Sequence, residues 1–437
     1  AMPSPAPHLV DEILEEVFLR LTTPAELARA STACPRFRRI ITDRSFLRRH
    51  RKRHPPPLLG LVNVDGSFQP AEAPHPSAPL ARALADAADF TYSFVPAPSN
   101  GIPWHVRDVR DGRVLLEACQ VLETLKDMAL CDPLSRRYVL LPPIPTDLAV
   151  QEEYPFDIVP ILAPIADDED DMSFKVICLA IYGSKLTAFV FSSVTQQWCI
   201  TASIGWSLLD AHHPPLGLCM FSTYGFCGLP GFDNEGGCFY LASPLLDKLF
   251  VLDTQKMEFL TVKYHTGYDI LVRHLPGRII EFLARYGDPH IIQPGQDRSM
   301  RGIVVGREGD LEMFSLIGDH SPNGSFDLYH TTQQSNGESS NEWRMKNIIP
   351  LPGGHDYFTM SAAEGLLFLG ATTEDQVGFD RESGPPLSRI DWDVDYFSLE
   401  VKTSEVRKVC TSKGKFFHAE HVHWYFGYPP PLSKPSV

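Results

Sequence analysis

One short pattern recurs along this chain, and it restricts the possible folds more than any other feature. An apolar strand runs into a turn that carries an acidic or serine residue. The next strand opens on an aromatic or large apolar side chain. The pattern is seen in LCDPLSRRYVLLP (130–142), VFSSVTQQWCI (190–200), VLDTQKMEFLTV (251–262) and FSLEVKTSEVRKV (397–409). Aligned on the strand after the turn, its anchors are Tyr138, Trp198, Phe259 and Val406, at spacings of 60, 61 and 147 residues. The last spacing leaves room for a further copy, expected near FDLYHTTQQSNGESSNEW and ending at Trp343. One hairpin cannot bury its own apolar face, whereas copies stacked round an axis bury each face on the next. The expected fold is therefore mainly β: a small N-terminal α-helical unit followed by a β-propeller-like domain with kelch-like repeats, six or seven blades. The spacing exceeds the roughly 50 residues of regular repeats and implies long loops.

The first 57 residues have another texture. Ile13, Leu14, Val17, Phe18 and Leu21 recur at helical spacing, with Glu12, Glu15, Glu16 and Arg20 largely opposite them. This predicts a helix from about Asp11 to Leu21. In TTPAE, Thr23 fits an N-cap, Pro24 the first helical position and Glu26 the third, which is a capping box. Leu27, Ala30, Cys34 and Phe37 continue the apolar line, with a break or restart at Pro35. Ile40, Ile41, Phe46 and Leu47 suggest further short helices, and HPPPLL at 54–59 ends the unit. The expected domains are 9–54 and 58–437.

Charge divides in the same place. Residues 1–57 carry 11 Lys/Arg and 6 Asp/Glu, a net +5 within a chain total of −15, which leaves −20 for the remainder. So acidic a body argues against nucleic acid as the main partner. No apolar run approaches the ~18 residues of a membrane span, and AMPSPAPHLV lacks the pattern of a signal peptide. The nine cysteines form no C-x-x-C pair, as expected of reduced thiols in a cytoplasmic or nuclear protein.

Other clusters invite chemistry without fixing it. RRHRKRH (48–54) suits either a nuclear-localisation or nucleic-acid patch or, as favoured here, a solvated helix end. His418, His421 and His423 lie close together, but no third ligand is set by spacing, so no metal site is assigned. Cys219, Cys227 and Cys238 match no compact zinc or redox pattern. DDEDD (167–171) reads as a solvated loop, and residues 66–79 and 331–342 as loop or low-complexity stretches. There is no P-loop, H-E-x-x-H or G-x-S-x-G sequence. No catalytic residue and no cofactor is assigned.

The segment LVDEILEEVFLRLTTPAELARASTACPRFRRIITDRSFLRRH resembles the F-box family. The matching positions are Leu9, Asp11, Glu12, Ile13, Leu14, Val17, Phe18, Arg20, Leu21, Leu27, Cys34, Phe37 and Ser45-Phe46-Leu47. Two positions depart from the pattern: Val10 stands for the usual proline and Phe37 for the usual tryptophan. Both remain apolar, and the expected effect is weakened rather than lost docking. The remainder is similar to the plant, especially grass, F-box proteins with a propeller-like associated domain, through LCDPLSRRYVLLPPIP, AEGLLFL, DYFSLEVKTSEVRKVC and YFGYPPPLSKPSV.

The resemblance implies a non-catalytic substrate receptor of an SCF (Skp–cullin–F-box) ubiquitin ligase. Its adaptor-binding residues would be Leu9, Ile13, Leu14, Val17, Phe18, Leu21, Leu27, Cys34 and Phe37. Its partners would be a Skp-family adaptor, the cullin and RING subunits reached through it, and a protein substrate. A ~50-residue helical unit buries little surface of its own, so an apolar surplus there suits a partner. Candidate substrate loops are 205–237 and the stretch from Tyr286 to Arg301. Two other readings stay open: a non-ligase F-box scaffold, and a propeller-fold enzyme with its site on the axis.

Overall fold

The computed structural model describes residues 9–22, 24–99, 101–118, 127–150, 153–163, 173–206, 228–233, 238–242, 248–254, 256–263, 300–305, 311–318, 325–333, 343–373, 391–415 and 422–427. Backbone contacts divide the chain into two compact units. The first contains four helices: α1 (Asp11–Phe18), α2 (Pro24–Ala33), α3 (Pro35–Ile41) and α4 (Arg44–Arg53). They enclose Leu14, Phe18, Leu19, Leu27, Ile40, Ile41 and Phe46. α1 is shorter than its periodicity predicts, because Leu19 caps it and its N–H closes on the Glu15 carbonyl. The expected cap Thr23 lies outside the described residues. The Glu26 carboxylate accepts from the N–H of Thr22 at 3.2 Å, so the predicted third position of the box reaches back across the turn.

The second unit is built of antiparallel sheets. β1 (Leu58–Asn63) and β2 (Phe68–Pro70) pair, and after α5 (Ala78–Ala87) come β3 (His105–Arg110), β4 (Arg113–Ala118), β5 (Asp127–Asp132) and β6 (Arg137–Leu141). The short helix α6 (Thr146–Ala149) leads to β7 (Asp157–Leu162), β8 (Lys175–Ile181), β9 (Lys185–Ser192) and β10 (Gln197–Gly205). Then follow β11 (Gly228–Asp233), β12 (Cys238–Ala242), β13 (Lys248–Asp253) and β14 (Glu258–Lys263). Next are β15 (Met300–Val305), β16 (Leu311–Gly318), β17 (Phe326–Gln333) and β18 (Trp343–Pro350). The last set is β19 (His355–Ala363), β20 (Leu366–Thr373), β21 (Asp391–Glu400) and β22 (Glu405–Lys415), before β23 (Val422–Phe426). Each consecutive group of four from β3 to β22 is one meander, and β23 returns to pair with β1. Among the described residues this makes five four-stranded sheets and one of three strands, in a β-propeller-like arrangement.

Period-two alternation explains the stacking. On β4, Val114 and Leu116 join one core while Leu115 joins the next. On β8, Val176, Cys178 and Ala180 face one core, and Ile177, Leu179 and Ile181 the other. On β20, Leu367, Leu369 and Ala371 separate from Phe368 in the same way. A sheet buried on both faces needs apolar residues at consecutive positions, which is how these strands read. The innermost strands also meet: β3 with β7 and β23, and β15 with β11 and β19.

The three-stranded sheet closes the set. Its core joins Leu59, Leu61 and Tyr425 to Val114 and Leu116 on one side, and to Phe368, Val394 and Tyr396 on the other. The Trp424 indole stacks on Phe368 at 3.8 Å between centroids and donates from Nε1 to the Ser361 hydroxyl at 2.9 Å. The Tyr425 hydroxyl donates to the Gly112 carbonyl at 2.9 Å. Gly112 can present that carbonyl because Asp111 and Gly112, at φ 54° and 70°, form the two-residue turn between β3 and β4.

The hairpins that announced the fold prove to be the third and fourth strands of each sheet: β5–β6, β9–β10, β13–β14 and β21–β22. The further copy expected to end at Trp343 is β17–β18. In the first four, the residue before the fourth strand is left-handed: Arg136, Gln196, Met257 and Ser404 have φ between 54° and 59°. The acidic residue of the pattern has a local task. Asp132 accepts from the N–H groups of Leu134 and Ser135, and Asp253 from that of Lys256.

Two outcomes are expected. Trp424→Ala should lower the urea midpoint of the β unit, at a cost of about 3–5 kcal/mol. His423, on β23, has its pKa pushed down to about 4, first by burial and then by the Arg107 cation. Its folded pKa lies below the unfolded value, so its contribution is full above ~6.5 and is lost as pH falls toward 4, with an upper bound of roughly 3 kcal/mol. His423→Gln should flatten that acid limb in a stability–pH series.

Candidate functional site

α1 begins without a side-chain cap, at Val10 in extended conformation. Asp11 and Glu12 instead place negative charge in the first turn, where the helix dipole favours it. Asp11 is then held from α3. The Arg36 Nε donates to it at 2.7 Å, the Arg39 Nη2 also at 2.7 Å, and the Arg36 Nη2 reaches the Leu9 carbonyl at 2.6 Å. The hydrogen bond from Arg36 is the main cause that lowers the Asp11 carboxyl below its ordinary range. α3 starts from Cys34, whose sulfur accepts from the Phe37 N–H at 3.4 Å, with Pro35 in the first helical turn.

α4 fixes the other end of α1. Arg49 pairs with Glu15 at 2.7 Å and with Glu16 at 3.1 Å. His50 and His54 contact the carbonyls of Leu21 and Leu19, both at 2.7 Å. Burial, and then the neighbouring His54, lower the pKa of His50. Arg49, His50 and His54 of the basic run RRHRKRH are thus engaged within the helical unit.

The predicted adaptor-binding residues separate into two groups. Leu9, Ile13 and Val17 are 44%, 49% and 47% exposed, and Val10 beside them is 54% exposed. Leu14, Phe18 and Leu27 are instead buried in the unit's own core. Leu21, Cys34 and Phe37 are half-buried, and Phe37 meets the Phe18 ring edge-on at 5.0 Å. The periodicity placed all of these on one broad face. The structure divides it, because α3 and α4 cover one side and leave Leu9, Ile13 and Val17 outside. Leu47, at 42% exposure, is a further apolar surface residue of this unit. The capping role of Cys34 has no sequence signal beyond the proline that follows it.

Other candidates lie elsewhere. The acidic run 167–171, His418, His421, Cys219, Cys227 and most of the loop candidates 205–237 and 286–301 are outside the described residues. Cys131, Cys178 and Cys410 are buried, Cys34 is half-buried and Cys199 is exposed, while Cys238 opens β12. Burial pushes the Cys131 and Cys410 thiols up, away from thiolate reactivity. Among the described residues no group of three or more His, Cys, Asp or Glu is placed to hold a metal ion. None of the described helices is long and apolar enough to cross a membrane.

Comparison with known proteins identifies the helical unit. Residues 11–53 match the family described as F-box-like. No curated protein matches the chain. Among solved structures, it is similar to TolB from Acinetobacter baumannii at 7% identity, over 72% of this chain and 54% of that one, with a TM-score of 0.31. YCF48 from Cyanidioschyzon merolae is similar at 7% identity, over 71% and 72% of the two chains, with a TM-score of 0.33. The GH93 α-L-arabinofuranosidase of Fusarium graminearum, in complex with arabinobiose, is similar at 10% identity, over 69% and 78%, with a TM-score of 0.31. The chain spans 54% of TolB and 46% and 36% of two prolyl-peptidase structures, about half their length or less.

The two groups on α1 should respond differently to truncation. Leu14→Ala is expected to cost about 2–5 kcal/mol and to raise amide exchange across α1–α4 of the full chain. Ile13→Ala should change that exchange little, by less than about 0.5 kcal/mol.

Proposed function

We propose that the chain is the substrate-recognition subunit of an SCF ubiquitin ligase. Its F-box, over residues 9–54, docks on a Skp-family adaptor, and its β domain, over 58–437, holds a target protein. The observation that carries this reading is the exposed apolar row of Leu9, Ile13 and Val17 within the segment that matches the F-box-like family. A row of large apolar side chains left in water on a helix with a packed opposite side is a surface suited to burial by another chain.

Division of labour follows from that role. Leu9, Ile13 and Val17 make the adaptor contact. Leu14, Phe18 and Leu27 hold α1 in place from within, with Leu21, Cys34 and Phe37 at the boundary. An apolar contact of this kind is little affected by salt. The transfer of ubiquitin belongs to other subunits, reached through the adaptor and cullin, so this chain contributes recognition and positioning rather than chemistry.

The test is co-purification with a Skp-family adaptor. Ile13→Asp combined with Val17→Asp should reduce the retained adaptor at least tenfold while the helical signal and thermal midpoint stay unchanged. A folded double variant that holds the adaptor as well as the unaltered chain would overturn the docking assignment. Failure of the adaptor complex to assemble with cullin and RING subunits would overturn the ligase role.

A further inference from the structure

The connection from β6 to β7 displays two large aromatic side chains in water. Tyr154 is 71% exposed and Phe156, two residues on, is 64% exposed. The chain that carries them is pinned. The Glu153 carboxylate accepts from the Ser184 N–H at 3.2 Å and from the Ser184 hydroxyl. The Phe156 N–H donates to the Ile181 carbonyl at 2.7 Å, and the Tyr182 hydroxyl to the Ala149 carbonyl at 2.6 Å. Gly183 lies directly against this segment: a Cβ there would stand 3.1 Å from Glu153 Oε2 and 3.5 Å from the Phe156 ring. The aromatics are therefore presented by a segment laid on the β8–β9 turn. Little ordering entropy remains to be lost when they are covered.

A small cleft adjoins them, with Leu148, Glu153, Tyr182, Lys185 and Ile200 among its lining. Its one lysine is engaged in the wall, since the Lys185 ammonium lies 5.5 Å from the centre of the Tyr182 ring. Glu153 lines the cleft, and Asp147 on α6 is exposed next to Leu148. The part of the chain that carries this surface, residues 58–437, bears a net charge of −20. Aromatic faces attract cations, and a field of this sign draws basic segments in and repels acidic ones.

We propose that Tyr154, Phe156 and Glu153, with the adjoining cleft, form a docking surface for an extended basic segment of a target protein. A lysine or arginine side chain of that segment lies against the rings, with its charge toward Glu153. The inference rests on the recognition role proposed above and names its substrate class. Sequence reasoning placed recognition in other loops; the local signal was EYPF, two aromatics held apart by a proline.

The test uses the full chain and a fluorescein-labelled nonapeptide of alternating arginine and alanine, read by fluorescence anisotropy. Saturable binding is expected, weakening severalfold between 0.05 and 0.3 M salt. The Tyr154→Ala/Phe156→Ala double variant should weaken it at least tenfold. Glu153→Gln keeps an acceptor for Ser184 and should weaken it severalfold. A glutamate–alanine peptide should not bind. Equal affinity of the double variant, equal binding of the acidic peptide, or no binding of the arginine peptide to the unaltered chain would each overturn the proposal. Adaptor co-purification, measured on the same samples, separates the two readings. If it persists while peptide binding fails, this surface falls and the adaptor role stands; the reverse result keeps the surface and removes that role.

Discussion

The β unit depends on one pairing, that of β1 with β23. Leu58 meets Phe426 and Asn63 meets Val422, so a strand from each end of the unit completes a single sheet. That sheet lies between the first and last four-stranded sheets and shares one core with both. The sheets that contain β4, β8 and β20 are apolar on two faces, so an open row would leave such faces in water; closing the row covers them. The cost is the entropy of bringing distant chain segments together, which grows only slowly with the length enclosed. The aromatic run Trp424-Tyr425-Phe426 offsets it with stacking, burial and a hydrogen bond to the Asp111–Gly112 turn. Closure is also a pairing of very high sequence separation, the kind of contact that slows folding.

Much of this architecture was legible because its signals are local. The four aligned turns each fix a left-handed residue and a fourth strand, and an aspartate such as Asp132 ties its turn to its own backbone. Burial on both faces corresponds to continuous apolar runs such as VICLAI in β8. The closing pair carried no such signal, because nothing near Leu59 specifies Tyr425 as its neighbour. The helical unit shows the same limit. Periodicity located the apolar face of α1, yet which half of it turns inward depends on α3 and α4, whose Arg36, Arg39 and Arg49 draw Asp11, Glu15 and Glu16 toward them. The separation of Leu14 and Phe18 from Ile13 and Val17 is a tertiary fact.

Two surfaces of unlike chemistry emerge, one on each unit. The row on α1 is aliphatic, and its recognition rests on the shape and area removed from water. The segment at Tyr154 and Phe156 is aromatic, with a carboxylate beside it and an acidic body behind it. In the receptor role proposed above, such a difference is useful. An adaptor contact common to many receptors should be insensitive to solution conditions, whereas selection among targets can use charge.

The antiparallel closure also has a mechanical reading. Leu58 and Phe426 are register partners, so the chain enters and leaves the closing sheet at the same end. Tension applied between those two points opens the pair like a zipper, loading one hydrogen bond at a time instead of shearing all of them together. The ring can thus be firm against heat and denaturant, where its shared core must be lost as a whole, and compliant to a pull along the chain. The direction of a force on this sheet therefore matters more than its size.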